Sequence, residues 1–242
     1  DHNGSRGLGD VYKRQLMYNA EKNNAHVFLK FWNSDGSTSS TCGNATRCVA
    51  DLIMNETGLD SVNIATSAEK IKCLKLNNGQ ISTNLGIPKT AWNDIPLSEK
   101  CDTRKLPIEG NPIATSIGNP HCTFFVENLN KFSISKIGQK TEINPLFPEK
   151  TNVQIAEVVD ESKIKVKVWE RGSGITMASG SSACAVAYSA KRLNLTKESV
   201  KIILDGGVVD VHCKDDGVWV SGDIKYVFSG KISSLLFDDR NN

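Results

Sequence analysis

Two segments place a small nucleophilic residue directly before a glycine and a stretch with helical periodicity. Cys42 opens "CGNATRCVADLIMN", and Ser179 opens "SGSSACAVAYSA". A cysteine at a helix N-terminus ionises readily, because unpaired backbone N–H groups and the positive end of the helix dipole favour the thiolate. A serine hydroxyl is a weak nucleophile and a weak base unless a neighbouring base assists it. The pair therefore predicts one reactive thiol and one much weaker counterpart.

The backbone N–H groups after these two residues offer a second kind of chemistry. Those of Gly43 and Asn44 in the first segment, and of Gly180 and Ser181 in the second, lack intrahelical partners and can bind a carboxylate or a phosphate. Two such N-termini facing one cleft would hold an anion from both sides. Taken singly, Cys42 and Ser179 are equally well explained as turn or cap residues, and the repetition favours function.

Three further polar residues are candidates for ligand binding. Glu170 shares a strand face with apolar residues, where a carboxylate is costly unless it is paired, so it could tune a thiol or imidazole or bind an ammonium group. Arg171 could then hold a carboxylate through two hydrogen bonds, although a strand-end salt bridge is the simpler alternative. His121 follows the rigid Gly-Asn-Pro turn of "GNPHC" and fits a functional or an ordinary core role equally well.

The segments around these residues are predicted to form short strands, with one principal helix in each half of the chain. A helix is predicted over 42–56, with Ala45, Val49, Leu52 and Ile53 on its apolar face, and another after Gly180. Hairpins are predicted at Asn78-Gly79 and at 205–207. The Pro-rich, charged stretch 93–112 looks like a connection between halves. This order predicts an α+β fold with two similar domains.

Composition excludes several classes of function. The chain has 242 residues, a formal net charge of +2 and 39% apolar residues, with no run of like charges that would favour nucleic acid or a membrane surface. It shows no signal peptide and no membrane-length apolar run, so we expect a cytoplasmic protein. Seven cysteines without a C-x-x-C pair predict reduced thiols, and four histidines without a ligand motif predict no metal site. No nucleotide-binding glycine motif is present.

We expect the first fifteen residues to be a non-native leader. The hexapeptide "DVYKRQ", residues 10–15, is what a transposon end used in sequencing libraries encodes when it is read in frame. We therefore expect the native fragment to begin near Leu16, and the alternative is a genuine disordered N-terminus.

Six motifs together carry a family resemblance. "NSDGS", "CGNATRC", "GNPHC", "TNV", "ERGSG" and "SGSSAC", in this order and spacing, resemble the diaminopimelate epimerase family from about Leu16 to the C-terminus. The resemblance implies two pseudo-symmetric domains, each a β-barrel-like sheet around a central helix, with limits at 16–111 and 112–225 and with 226–242 as a strand returning to the first domain and a tail. It implies a cytoplasmic homodimer in lysine and peptidoglycan biosynthesis that converts LL-2,6-diaminopimelate to the meso form without pyridoxal phosphate, other cofactors or metal.

The same resemblance assigns roles to individual positions. Cys42 is one of the two catalytic thiols of the family, and Ser179 stands at the position of the second. The N–H groups that hold the substrate α-carboxylate belong to Gly43, Asn44, Gly180 and Ser181. His121 is a supporting residue near the thiols. The positions that bind the other polar groups of the amino-acid substrate are Asn33, Asn119, Asn152, Glu170 and Arg171.

The chain departs from the family pattern at three places. Ser179 replaces a thiol, Ile175 replaces the usual glutamate of the "ERGxGxT" motif, and the family's first strand and Gly-Asn-rich substrate loop have no counterpart, so we expect a truncated fragment. Two alternatives stay open for this reason. One is a racemase or dehydratase of the proline racemase type, and the other is a catalytically silent amino-acid-binding homologue.

Overall fold

A computed structural model of the chain describes residues 14–18, 25–32, 36, 38–39, 42–67 and 70–230. Strands dominate it, and they form one hydrogen-bonded sheet that bends around two helices. The first lobe contains β1 (Arg14–Tyr18), β2 (Val27–Trp32), β3 (Thr38–Ser39), α1 (Gly43–Thr57), β4 (Ser61–Ala65), β5 (Lys70–Lys75) and β6 (Ile81–Asn84). The second contains β7 (Ile113–Ser116), β8 (Pro120–Phe125), α2 (Ile134–Glu142), β9 (Asn152–Asp160), β10 (Lys163–Glu170), β11 (Gly174–Thr176), α3 (Gly180–Arg192), β12 (Ser199–Leu204), β13 (Gly207–Lys214) and β14 (Gly217–Gly222).

Helix α1 forms the centre of the first lobe. Ala45, Val49 and Ile53 are buried on the face that β4, β5 and β6 cover, as their spacing predicts. Gly58 ends the helix in the left-handed conformation at φ +73°, and its N–H bonds to the carbonyl of Met54. The prediction for Leu52 is wrong. It is 40% exposed, because the apolar face of this helix is narrower than the periodicity suggests.

Helix α3 forms the centre of the second lobe, and the sheet surrounds it. Nine of its thirteen residues are buried, and most of these are alanine, serine or glycine. Small side chains let the strands approach the helix axis closely, and α3 contacts β7 to β10 and β12 to β14. A helix so enclosed tolerates little change in side-chain volume.

Residues 85–89 close the sheet of the second lobe into a barrel-like shape. Leu85 donates its N–H to the carbonyl of Val218 on β14 at 2.9 Å, and Lys89 exchanges backbone hydrogen bonds with Ser116 on β7. The segment therefore bridges the two ends of the strand order β14-β13-β12-β10-β9-β8-β7. The predicted fold class, α+β with sheets around central helices, is confirmed.

The two lobes share one sheet. Strand β14 pairs antiparallel with β6, from Trp219 opposite Asn84 to Gly222 opposite Ile81. The hairpins predicted at Asn78-Gly79 and 205–207 are confirmed as the β5–β6 and β12–β13 turns. The domain limits and the returning strand 226–242 stay predictions.

Two features of the second lobe differ from expectation. Helix α2 was not predicted, because its amphipathic stretch is short and polar. The stretch 93–112 is irregular, as predicted, but it is more than a connection. Ile95 and Leu106 are fully buried against β7 and β8, so this segment contributes to the core. Among the described residues, no helix is long and apolar enough to cross a membrane.

Candidate active site

Cys42 and Ser179 occupy the same structural position, each at the N-cap of a central helix. Cys42 has φ −152° and ψ 101°, and its Sγ accepts the N–H of Ala45 at 3.5 Å. Ser179 has φ −150° and ψ 118°, and its Oγ accepts the N–H of Ser182 at 3.4 Å. Their exposed fractions are 3% and 5%. The capping role is therefore real, and it orients both side chains in the same way relative to their helices.

The N-termini of α1 and α3 meet at two glycines. A Cβ built on Gly180 would lie 3.7 Å from Gly43 Cα, and one built on Gly43 would lie 3.9 Å from Gly180 Cα. Neither helix has an acidic residue in its first turn. Two positive helix ends at this separation favour an anion between or beside them, because each end carries roughly half a positive charge.

Arg47 adds a full positive charge to this junction. It is 6% exposed, it lies one turn into α1, and its Nη2 donates to Asn44 Oδ1. Its Nη1 would lie 3.9 Å from a Cβ on Gly180, so the guanidinium faces α3 as well. The sequence interpretation missed this residue, although its spacing of three from Asn44 on one helix face was a usable signal.

Glu170 is the last residue of β10, and Arg171 begins the turn to β11. Glu170 Oε1 accepts the hydroxyl of Thr176 at 2.8 Å, which ties the carboxylate to the strand leading into α3. The N–H of Arg171 donates to Asn152 Oδ1 at 3.0 Å, and its Nη1 donates to the carbonyl of Glu149 at 2.8 Å. Asn152 Nδ2 in turn donates to the carbonyl of Pro120 at 3.0 Å. Asn152 thus joins the two loops that carry the other candidates.

Glu142, at the end of α2, is a second residue that the sequence interpretation missed. Its Oε1 accepts the N–H of Gly172 at 3.0 Å, and its Oε2 accepts Trp169 Nε1–H at 2.6 Å. Gly172 has φ +76°, in the left-handed region that favours glycine. The carboxylate therefore fixes the turn next to Arg171. No local motif reveals this contact, since 30 residues separate its partners.

His121 lies in a buried chain of polar side chains. Its Nε2 lies 2.8 Å from Asn119 Oδ1, and its Nδ1 lies 3.0 Å from Gln154 Nε2. Gln154 Nε2 also donates to the Oγ of Ser182, in the first turn of α3, at 3.0 Å. Burial, and then the nearby charge of Arg171, lower the pKa of His121 to about 3. The imidazole is therefore neutral at physiological pH.

The other thiols lie in surroundings that disfavour ionisation. Burial raises the pKa of the Cys184 and Cys122 thiols, and it raises that of Cys73 to about 12. Desolvation also raises the pKa of Cys48, partly opposed by the charge of Arg47, although Cys48 is exposed on α1. All seven cysteines lie in the described part of the chain, and none forms a disulfide there.

Hydrogen bonds join several of the predicted site residues in two groups. Asn119 bonds to His121, which Gln154 connects to Ser182 beside the predicted Ser181. Asn152 bonds to Arg171 and to Pro120 at the start of β8. Asn33 lies outside the described residues. Within the described ranges, no three His, Cys, Asp or Glu side chains cluster as metal ligands. A cavity of about 630 Å³ lies on the outer side of α1, beside Cys48 and Leu52, and includes none of the candidate residues.

Known proteins resemble the chain in sequence and in fold. The family model described as diaminopimelate epimerase matches residues 113–227. The diaminopimelate epimerase of Acidiphilium cryptum (strain JF-5) is 40% identical over 228 residues, 92% of this chain and 82% of that protein. The diaminopimelate epimerase of Pelagibacter ubique (strain HTCC1062) is 44% identical over 197 residues, which cover 78% of this chain and 72% of that protein. A solved hydroxyproline epimerase from Agrobacterium vitis, with bound trans-4-hydroxy-L-proline, matches with a TM-score of 0.62 at 13% identity, over 87% of this chain and 71% of that one. The chain belongs to the diaminopimelate epimerase family.

Proposed function

We propose that this protein binds diaminopimelate at the junction of α1 and α3 and acts there on one α-carbon of LL-2,6-diaminopimelate, to give the meso isomer. The observation that carries this proposal is the meeting of two helix N-termini, each capped by one of the two residues that the family resemblance makes catalytic. The α-carboxylate would accept hydrogen bonds from the N–H groups of Gly43, Asn44, Gly180 and Ser181.

The reaction requires removal and return of one proton. Cys42, as thiolate, takes the α-proton from one face, and the electron pair of the broken C–H bond spreads into the carboxylate. Two helix ends and the Arg47 charge stabilise the negative charge that develops there. A group on the opposite face then returns a proton to the carbon, which inverts the centre.

Ser179 stands where that second group belongs. Its hydroxyl is a far weaker acid and base than a thiol, so it donates a proton slowly or orients a water molecule that does so. Proton exchange from the Cys42 face should therefore be faster than inversion.

The remaining contacts would bind the rest of the amino-acid substrate. Glu170 suits an ammonium group, and Arg171 suits the distal carboxylate. Asn119 and Asn152 offer amide groups, and Asn33 completes the proposed set. By family resemblance, the enzyme works as a cytoplasmic homodimer without pyridoxal phosphate, in lysine and peptidoglycan biosynthesis.

Separate measurements of binding, exchange and inversion test the proposal. The purified chain is titrated with LL- and meso-diaminopimelate by calorimetry and then incubated with each isomer in deuterated water. Proton NMR reports α-deuteration, and chiral chromatography reports configuration. We expect the natural chain to bind diaminopimelate and to exchange its α-proton. Cys42→Ala should still bind the ligand but should no longer exchange the proton.

A matched control distinguishes the role of this thiol from a general loss of sulfur. Cys48→Ala removes an exposed thiol from the same helix and should change none of the three quantities. Exchange that persists in Cys42→Ala would overturn the assignment of the base. Binding without exchange in the natural chain would instead support the silent-homologue alternative.

A further inference from the structure

We propose that Gln154 is a positioning residue that keeps the proton of His121 on Nε2 and so makes Asn119 present N–H donors to a ligand. Gln154 belongs to none of the sequence-derived candidates. The ligand part of the inference rests on the proposed function, whereas the proton part stands on the geometry of the protein alone.

The amide of Gln154 is held by three separate groups. Its Nε2 donates to His121 Nδ1 at 3.0 Å and to Ser182 Oγ at 3.0 Å, and its Oε1 accepts the hydroxyl of Thr123 at 3.1 Å. All four side chains are buried, so water does not compete for these bonds. Both N–H donors and the carbonyl of the amide are thus in use, with partners on β8 and on α3.

This orientation determines where the imidazole proton lies. A ring nitrogen that accepts a hydrogen bond carries no proton, so His121 Nδ1 is bare and the neutral ring is protonated on Nε2. The contact on the other side of the ring agrees, because Nε2 faces the oxygen of Asn119 at 2.8 Å rather than its nitrogen. Two amides from different segments therefore assign the same tautomer.

The tautomer in turn determines what Asn119 offers. Because Oδ1 is turned toward His121, the two N–H groups at the other end of the amide are directed away from the ring, and the residue is partly exposed at the end of the turn before β8. A proton on Nδ1 would reverse this, since Nε2 would then accept and Asn119 would have to turn its oxygen outward. Gln154 thereby selects an anionic or carbonyl oxygen over an ammonium group at this position.

The first experiment reads the proton directly and needs no ligand. Nitrogen-15 NMR of the histidine side chains should show His121 protonated on Nε2 only, its signals being assigned by their loss in His121→Gln. In Gln154→Glu, the new carboxylate faces Nδ1, so both ring nitrogens should be protonated at neutral pH. A natural chain with its proton on Nδ1 would overturn the inference, and so would an unchanged ring in Gln154→Glu. If that variant fails to fold, the spectrum of the natural chain still decides.

The second experiment connects the proton to binding, measured by calorimetry with LL-diaminopimelate. Gln154→Met removes the donor to His121 and should raise Kd about 10-fold, the effect of roughly one hydrogen bond. In Gln154→Glu the Nε2 proton of His121 is kept, so the Kd for LL-diaminopimelate should stay within about 3-fold of the value for the natural chain.

The control variant is Ser189→Ala, which loses a buried hydroxyl pair with Thr115 in the same lobe but leaves the hydrogen bonds of His121 to Asn119 and Gln154 in place. It should bind like the natural chain. Unchanged Kd in Gln154→Met would refute the link to Asn119. Failure of the natural chain to bind diaminopimelate, with the Nε2 proton observed, would refute the proposed substrate and the ligand part but support the proton assignment.

Discussion

Ser179→Cys should restore the missing half of the reaction. The backbone is already suitable, because the φ and ψ angles of Ser179, −150° and 118°, are close to those of Cys42, −152° and 101°. Cys42 shows that a sulfur can cap such a helix, with its acceptor distance of 3.5 Å against 3.4 Å for the serine. The substitution should therefore cost less than about 1 kcal/mol of unfolding free energy.

The gain in rate follows from replacing a poor proton donor by a good one. A positioned acid or base contributes roughly 100-fold to 10,000-fold, which corresponds to about 2.7 to 5.4 kcal/mol of activation free energy. Inversion should rise by this factor in Ser179→Cys. Exchange from the Cys42 face should change little, because its base is untouched.

Incubation of LL- and meso-diaminopimelate in deuterated water, with label and configuration followed separately, checks this. Ser135→Cys, which adds a thiol on the exposed side of α2, serves as the control and should leave both rates unchanged. Adding Cys42→Ala to Ser179→Cys should switch the configuration that exchanges, since the one thiol left at the two helix N-caps would then face the opposite side of the carbon. An unchanged inversion rate in Ser179→Cys would refute the reasoning.

Three further predictions concern thiol reactivity, packing and pH. Limited iodoacetamide treatment should modify Cys42 before Cys184, because burial raises the pKa of the Cys184 thiol. Diaminopimelate should protect Cys42 but not the exposed Cys48. Mass spectrometry identifies the modified residues, and faster modification of Cys184 would contradict this. Gly138→Ala should lower the unfolding free energy, measured by urea denaturation, by about 1 to 3 kcal/mol, since the added Cβ would lie 2.4 Å from Trp169 Cγ. Lys136→Ala, on the exposed side of the same helix, should change that free energy by no more than about 0.5 kcal/mol. The pKa of His121 is lowered to about 3 from an ordinary 6.5. The contribution of the neutral imidazole to the unfolding free energy is therefore complete above pH 6.5. It is lost as the pH falls toward 3, by about 1.4 kcal/mol per pH unit. The difference in unfolding free energy between the natural chain and His121→Gln should follow that slope, and a difference independent of pH would show that the imidazole is not buried in its neutral form.

Local chemistry allowed the helix caps and turns around the candidate residues to be predicted from sequence. The N-cap positions of Cys42 and Ser179, the left-handed end of α1 at Gly58 and the turn at Gly79 each depend on a few neighbouring residues. Capping, helical periodicity and the conformational freedom of glycine depend on residues a few positions apart, so they can be recognised in the sequence itself.

The relations between distant segments depended on the tertiary structure. The approach of Gly43 to Gly180 and the buried carboxylate of Glu142 beneath Gly172 arise from how the sheet bends around its helices. The same holds for the contact of His121 with Gln154, which come from two parallel strands brought into register. Sequence alone supplied the candidate residues, because side-chain type and local capping are encoded nearby. Only the packed sheet decided which of them meet and which groups orient them, because hydrogen-bond partners tens of residues apart are chosen by strand register and burial.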